Sequence, residues 1–298
     1  MDVTAVVVSW NVRELLDRCL ASLGPDTRTI VVDNASSDGS GQMVREKYPS
    51  VTLIENDRNR GFAAACNQGI ALAEGDAVLL LNPDAELLPG ALTALCRALE
   101  EDRRVGAAGP LVLGEDGRTS GTRRRFPTPL TGLMEGSFLE DHFPRLLRRY
   151  RYLDEPAATE VDWMEGCGLL LRRAALEQVG PLDEQFFMYF EEVDWFLRAR
   201  AAGWRARYVP EARVCHEGGG SSRQVQAAAH LYYARSKCAF YAKHMGPVAG
   251  RAVQASLVIS YLLRAIEDGL KLALGHRPAL RRERIGLYLS VLGQAARL

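Results

Sequence analysis

An alternation over the first third of the chain sets the tightest limit on how its 298 residues can fold. Apolar, β-branched runs take turns with helical segments. VTAVVVS at 3–9 is continuous rather than alternating, as expected of a strand buried on both faces. A helical pattern spans 12–23. TIVVD closes a second strand at Asp33, and the polar NASSDGS leads to a helix near 40–48. VTLIE at 51–55 reads as a third strand, followed by a small-residue helix over about 61–73. AVLLLN is a fourth strand ending at Asn82, with a helix over 89–100 and a strand near 105–109. This order predicts an α/β fold, a mostly parallel, Rossmann-like sheet flanked by helices. Ligands of such sheets bind beyond the carboxyl ends of the strands. Ser9, Asp33 and Asp84 all fall at or just past those ends.

Regularity fades over 111–160, a stretch rich in Arg, Gly and Pro that reads as loops and short elements. It returns at VDWMEGCGLLLRR, where a loop with Gly166 and Gly168 enters an apolar strand. FFMYFEEVDWFLRARAAGW follows. Glu191, Glu192 and Asp194 sit in a helical first turn, Arg198 and Arg200 come later, and Gly203 suits the position just past the end. On local grounds that is an acid-tipped helix satisfying its own dipole. A strand near 205–209 leads to VCHEGGGSS, and from about 224 the chain reads as helical. The expected organisation is one domain over 1–222 and a helical C-terminal extension over 223–298.

Composition narrows the partners. Lys+Arg and Asp+Glu both number 37, which gives no bias toward nucleic acid. Basic patches lie at 123–125, 145–151 and 277–284. The six cysteines form no CxxC pair, so neither a zinc site nor a disulfide framework is expected, and reduced thiols fit a cytoplasmic protein. The first residues read as a strand, not a signal peptide. SLVISYLLRAIEDGLKLAL at 256–274 is long enough to span a bilayer, but Arg264, Glu267, Asp268 and Lys271 argue against it. With Ser260 they form a polar stripe on an amphipathic helix. Such a helix packs on the domain, on a second copy in a homodimer, or on the inner surface of the cell membrane.

The chemistry gathers at four places. Asp33 opens DNASSDGS, where a carboxylate and backbone N–H groups suit a base and a diphosphate; a plain Asx turn gives the same pattern. Neither GxGxxG nor GxxxxGK[ST] is present, which disfavours nicotinamide and P-loop chemistry. Asp84, in NPDAEL, is placed to hold a divalent cation together with diphosphate oxygens. His216 is either an ordinary histidine or a ligand of the same metal, and the glycines after it allow close backbone approach. Glu191 or Glu192 is the candidate general base for an acceptor hydroxyl that displaces a nucleotide.

Taken in order, VVVSWN, VVDNASSDGS, NRGFAAACNQG, LLLNPDAEL, GCGLLLRR, FFMYFEEVDWFLRARAAGW and VCHEGGGS resemble family 2 of the inverting glycosyltransferases, which have the GT-A fold. The closest likeness is to its rhamnosyltransferase-like branch, which builds bacterial polysaccharides and cell-wall linkers. The resemblance implies a nucleoside-diphosphate sugar donor, TDP-rhamnose or a UDP-sugar, and a glycan or polyprenyl-diphosphate-linked acceptor. It also implies Mg2+ or Mn2+ on Asp84 and His216. The nucleotide site would comprise Ser9, Asn11, Asp33, Asn34, Ser36, Arg60, Gly61, Asn67 and Asn82. Trp163, Glu165, Gly166, Cys167 and Asp194 would border the acceptor, with Glu192 favoured over Glu191 as base. Two departures stand out: Asn82 replaces the first Asp of the family's DxD motif, and EE replaces its usual ED or DD. These keep in view a catalytically weak sugar-nucleotide-binding scaffold. A sugar nucleotidyltransferase shares the nucleotide-binding sheet, but would normally show a glycine-rich basic loop after the first strand, which VVVSWNVREL lacks.

Overall fold

The computed structural model describes residues 1–114, 116–119, 121–152, 160–220 and 222–294, with backbone alone for 146–149, 222 and 223. Ser221 of the VCHEGGGS motif, most side chains of the 145–151 basic run and the last four residues of the C-terminal extension lie outside this description.

The first elements are β1 (Val3–Ser9), α1 (Arg13–Leu23), β2 (Arg28–Asp33), α2 (Ser40–Lys47), β3 (Thr52–Glu55), α3 (Phe62–Leu72), β4 (Ala77–Leu81), β5 (Ala85–Leu87), α4 (Ala91–Glu101) and β6 (Val105–Leu113). Next come β7 (Arg123–Arg124), α5 (Pro129–Met134), α6 (Phe138–His142), α7 (Pro144–Arg151), β8 (Glu160–Val161), β9 (Trp163–Met164), β10 (Gly168–Arg172) and α8 (Arg173–Val179). The chain closes with α9 (Glu191–Ala201), β11 (Arg205–His216), α10 (Gln226–Met245), α11 (Pro247–Ala273) and α12 (Pro278–Leu292).

Two compact units result. The first comprises Met1–Phe126, Tyr152–Phe187 and Glu191–Gln224; the second comprises Pro127–Arg151, Met188–Phe190 and Val225–Leu298.

Among the described residues, the first unit is built on a nine-stranded sheet in the order β3-β2-β1-β4-β10-β6-β11-β5, with β8 added on β11. β3, β2, β1 and β4 run parallel, as their crossover helices require. β10 then enters antiparallel between β4 and β6, and β11 is parallel to β6. Side chains of β1 and β4 divide between two cores. Ala5, Val7, Leu79 and Leu81 pack with Leu16, Leu20, Leu95 and Leu99 of α1 and α4. Val6, Val8, Val78 and Leu80 pack with Ala63, Cys66, Trp195 and Phe196 of α3 and α9. Coverage on both faces explains why these strands are continuously apolar.

Helix α9 stops where its sequence says it should. Gly203 is left-handed at φ +91°. Its N–H donates to Arg200 O, and Trp204 N–H donates to Ala199 O, both at 3.0 Å. This is the Schellman ending, which glycine allows without a Cβ penalty. Strand β11 runs much further than the 205–209 expected. Register shifts between Val209 and Arg213 let its distal half pair again with β6 and reach His216.

In the second unit most of the polar stripe on α11 faces inward. Arg264 binds Asp141 at 2.6 Å, Asp268 is 4% exposed and binds Arg281 at 2.6 Å, and Glu267 binds Lys271. Val253, Leu257 and Tyr261 are buried, but Ile259, Leu262, Leu263, Ile266 and Leu270 face outward. Among the described residues, no helix is long and apolar enough to cross a membrane.

Leu79 lies fully buried at the centre of β4. Leu79→Ala is expected to lower the stability of the first unit by about 2–5 kcal/mol. Urea unfolding followed by tryptophan fluorescence checks this, since Trp195 sits in that unit's core.

Candidate functional site

The polar groups of the first unit gather past the carboxyl ends of its strands. β1 and β2 pair so that Ser9 lies opposite Asp33. Asp33 accepts from the Ser36 hydroxyl and, at 3.4 Å, from Ser36 N–H. Ser36 Oγ accepts from Asn11 N–H at 2.9 Å, and Asn11 Oδ1 accepts from Ser37 N–H at 2.7 Å. The β1 and β2 termini are thus tied into one polar rim. Burial pushes the Asp33 carboxyl up, and the Ser36 bonds oppose this. Ser9 Oγ is buried and has no hydrogen-bond partner among the described residues.

Other expected nucleotide residues hold the loops. Asn34 donates to Asn59 Oδ1 at 2.9 Å and Gly61 O at 3.2 Å, and accepts from Arg60 N–H at 2.9 Å. Gly61 has φ +87°, and a Cβ there would strike Phe187 O; Phe62 N–H donates to the same carbonyl at 2.6 Å. Only glycine fits this approach. The Arg60 side chain is exposed and pairs with Asp57 at 3.4 Å. Asn67 is engaged away from the rim, bonding both Leu182 O and Leu182 N–H and reaching Glu184.

The second group forms because β5 pairs antiparallel with β11, which sets His216 opposite Ala85. Asp84 Oδ1 lies 3.1 Å from His216 Nε2, and its Oδ2 accepts from Gly220 N–H at 3.0 Å. Asn82 Nδ2 is 3.4 Å from the same imidazole nitrogen. Burial would raise the Asp84 carboxyl, but the bonds to His216 and Gly220 hold it below the usual range, so it is ionised. The glycine run does bring the backbone close: a Cβ at Gly220 would sit 2.7 Å from Leu15 Cδ1. Among the described residues no group of three or more His, Cys, Asp and Glu is placed to hold a metal ion. The Asp84–His216 pair offers one oxygen and one nitrogen donor, which suits a divalent cation that takes its remaining ligands from a diphosphate.

The third group is the acidic pair. Tyr189 and Phe190 both have φ +70°, a costly backbone for aromatic residues, immediately before α9 begins. Glu191 is buried and Glu192 half-buried. Burial drives the Glu191 carboxyl far up, and the nearby Glu192 charge adds to this. Burial also pushes Glu192 up to about 7, opposed by hydrogen bonding from its neighbour and by the Arg124 charge. The pair therefore holds a neutral Glu191 beside a Glu192 poised to take a proton near neutrality.

Glu192 faces the glycine loop: a Cβ on Gly166 would lie 3.9 Å from Glu192 Cβ. The loop is fixed from both sides. Asn82 N–H donates to Cys167 O at 3.2 Å, and Glu165 is ion-paired with Arg124. The Arg124 guanidinium sits 4.2 Å from the Tyr152 ring centre and 5.8 Å from that of Trp163. Trp163 Nε1 donates to Arg125 O at 2.9 Å. The sequence reading missed Arg124, which was visible only as the middle of a basic run. Asp194 lies apart from this group. It is 0% exposed and bonded at 2.8 Å to Arg198, which in turn donates to Val179 O and Pro181 O. The Cys167 thiol is likewise buried, and burial raises it far above the ordinary thiol range.

A mostly parallel sheet interrupted by antiparallel β10 and joined by antiparallel β5 and β8, with carboxylates collected past the strand ends, defines the class. The fold is GT-A. The chain aligns over 99% of its length, and 86% of the other, with the mannosyltransferase PcManGT from Pyrobaculum calidifontis, solved with GDP-Man and Mn2+, at TM-score 0.58 and 21% identity. It belongs to glycosyl transferase family 2, whose sequence profile matches residues 4–180, and it is a glycosyltransferase. It is 37% identical over 244 residues to an N-acetylglucosaminyl-diphospho-decaprenol L-rhamnosyltransferase of Mycobacterium tuberculosis, covering 76% of this chain and 79% of that one. It is 26% identical over 249 residues to the rhamnosyltransferase WbbL of Escherichia coli, covering 80% and 92%. The resemblance to the rhamnosyltransferase-like branch therefore holds.

A base that works only when ionised gains activity as pH rises through its pKa. With Glu192 at about 7, kcat/KM is expected to climb with pH and level off above that value. Arg124→Gln removes the charge that favours ionised Glu192, so the rising limb is expected to move to higher pH. A pH–rate profile of both proteins reads this directly.

Proposed function

We propose that this chain is a metal-dependent, inverting glycosyltransferase that moves a sugar from a nucleoside-diphosphate donor to a hydroxyl of a polyprenyl-diphosphate-linked glycan. The observation that carries the chemistry is the placing of Glu191 and Glu192 at the start of α9 with Glu192 against the Gly166 loop, where burial drives Glu191 well up and Glu192 up to about 7. The acceptor class follows from the 37% identical relative, whose name specifies N-acetylglucosamine on diphospho-decaprenol as substrate and rhamnose as the transferred sugar. A lipid-linked acceptor of that kind sets the reaction at a membrane surface. TDP-rhamnose is the favoured donor, ahead of a UDP-sugar.

In this reading Ser9, Asn11, Asp33 and Ser36 receive the nucleoside, with Asn34 and Gly61 fixing the loops around it. Asp84 and His216 are the residues to hold a divalent cation, which would supply counter-charge to the departing diphosphate. Glu165, Trp163 and the Gly166–Gly168 loop position the acceptor. Glu192 accepts the acceptor hydroxyl proton while that oxygen bonds to the anomeric carbon from the face opposite the nucleotide. The anomeric carbon–oxygen bond breaks, and the electron pair leaves with the nucleoside diphosphate. Neutral Glu191 donates a hydrogen bond to Glu192 and keeps a second negative charge out of the pocket.

Glu192→Gln is expected to lower turnover by about 10²–10⁴-fold while nucleotide binding persists. Turnover of TDP-rhamnose with a polyprenyl-diphosphate N-acetylglucosamine checks the first, and thermal shift with TDP checks the second. Unchanged turnover would refute the base assignment. A metal-dependent thermal shift with TDP or UDP is expected for the parent protein and not for Asp84→Ala.

A further inference from the structure

The outward face of α11 is the most unusual surface in the second unit. Ile259, Leu262, Leu263, Ile266, Leu270 and Leu274 are between 40% and 83% exposed. Their spacing of three and four puts them in one stripe about 22 Å long at ~1.5 Å per residue. Two of the charged residues of the helix, Arg264 and Asp268, are turned into the unit, while Glu267 and Lys271 pair with each other at its edge. Arg264 donates to Asp141, Gly136 O and Ser137 O. Asp268 and Arg281 form a buried pair at 2.6 Å, and Glu267 meets Lys271 and, at 3.5 Å, His142. No acid is among the exposed residues of α11. Burying a charged pair while exposing six large aliphatic side chains is unfavourable in water, and the cost is recovered only if something apolar covers the stripe.

Charge identifies what covers it. The second unit carries 15 Lys and Arg against 6 Asp and Glu, a net of +9, in a chain whose formal total is +0. Exposed arginines stand at both ends of the stripe: Arg251, two turns before Ile259, and Arg277, just past Leu274. A second copy of this unit would bring the same positive charge to the contact, which disfavours self-association through this face. An anionic lipid leaflet supplies apolar depth and negative headgroups together.

We propose that the outward face of α11 is a bilayer-docking surface, lying in the plane of an anionic leaflet with its leucines and isoleucines at the acyl boundary and Arg251 and Arg277 among the headgroups. The helix lies on the membrane and does not cross it. The inference stands on the second unit alone, independently of the donor and acceptor assigned above.

Co-sedimentation of the full chain with vesicles tests it without any turnover. The protein is expected to bind vesicles containing phosphatidylglycerol at low salt and to lose most binding with pure phosphatidylcholine or at high salt. Ile266→Glu and Leu270→Glu, at exposed positions, are each expected to weaken binding about tenfold or more with the melting temperature unchanged. Arg251→Gln combined with Arg277→Gln is expected to weaken binding to anionic vesicles. No binding to anionic vesicles, or wild-type binding by both glutamate variants, would overturn the proposal. So would a stable dimer by light scattering that Ile266→Glu dissociates, since the stripe would then be a self-association face.

Discussion

The antiparallel seating of β10 between β4 and β6 is the constraint on which the first unit's site depends. Leu81 pairs with Gly168, so the turn carrying Asn82 and Asp84 and the loop carrying Glu165 to Cys167 leave the sheet at the same end. The hydrogen bond from Asn82 N–H to Cys167 O locks the two together. Gly166 then lies against Glu192, which brings α9 to that end as well. A one-residue slip of β10 would turn Leu169 and Leu171 toward the opposite core and draw the loop away from the acidic pair. Packing and chemistry are therefore set by one register.

Electrostatics follows from this placement. Two glutamates at a helix start are stabilised by the dipole when exposed, but here one is buried and they lie against each other. Only one negative charge is tolerable, so their titrations separate, and they behave as a coupled pair. Asp84 shows the opposite outcome from a similar depth, because His216 and the Gly220 N–H support its ionised form. Two buried acidic sites in one unit thus carry different protonation states, one suited to accepting a proton and one to meeting a cation.

Much of this could be read from the chain. The strand runs, the ending of α9 at Gly203 and the position of Asp84 beyond β4 are local, and local signals are what sequence displays. Asp84 and His216 were joined through the family resemblance and not by any local signal, because the two positions lie 132 apart and meet only through the β5–β11 pairing. Arg124 was hidden for the same reason, since its partner Glu165 is 41 residues away. Asp194 looked like Glu191 and Glu192, yet the helix turns it inward onto Arg198. The stripe on α11 was legible by its period, but not the face it would occupy. Periodicity shows that a helix has two faces, and only the neighbours, Asp141 and Arg281 here, decide which one is covered.

In the proposed reaction Glu192 deprotonates an acceptor hydroxyl that displaces the nucleoside diphosphate in one step. The most direct measurement is the anomeric configuration of the transferred sugar, determined by NMR coupling constants on the product and compared with the donor. A single displacement predicts inversion. Retention would require an intermediate on the enzyme or attack from the nucleotide's own face, and would rule out a single displacement.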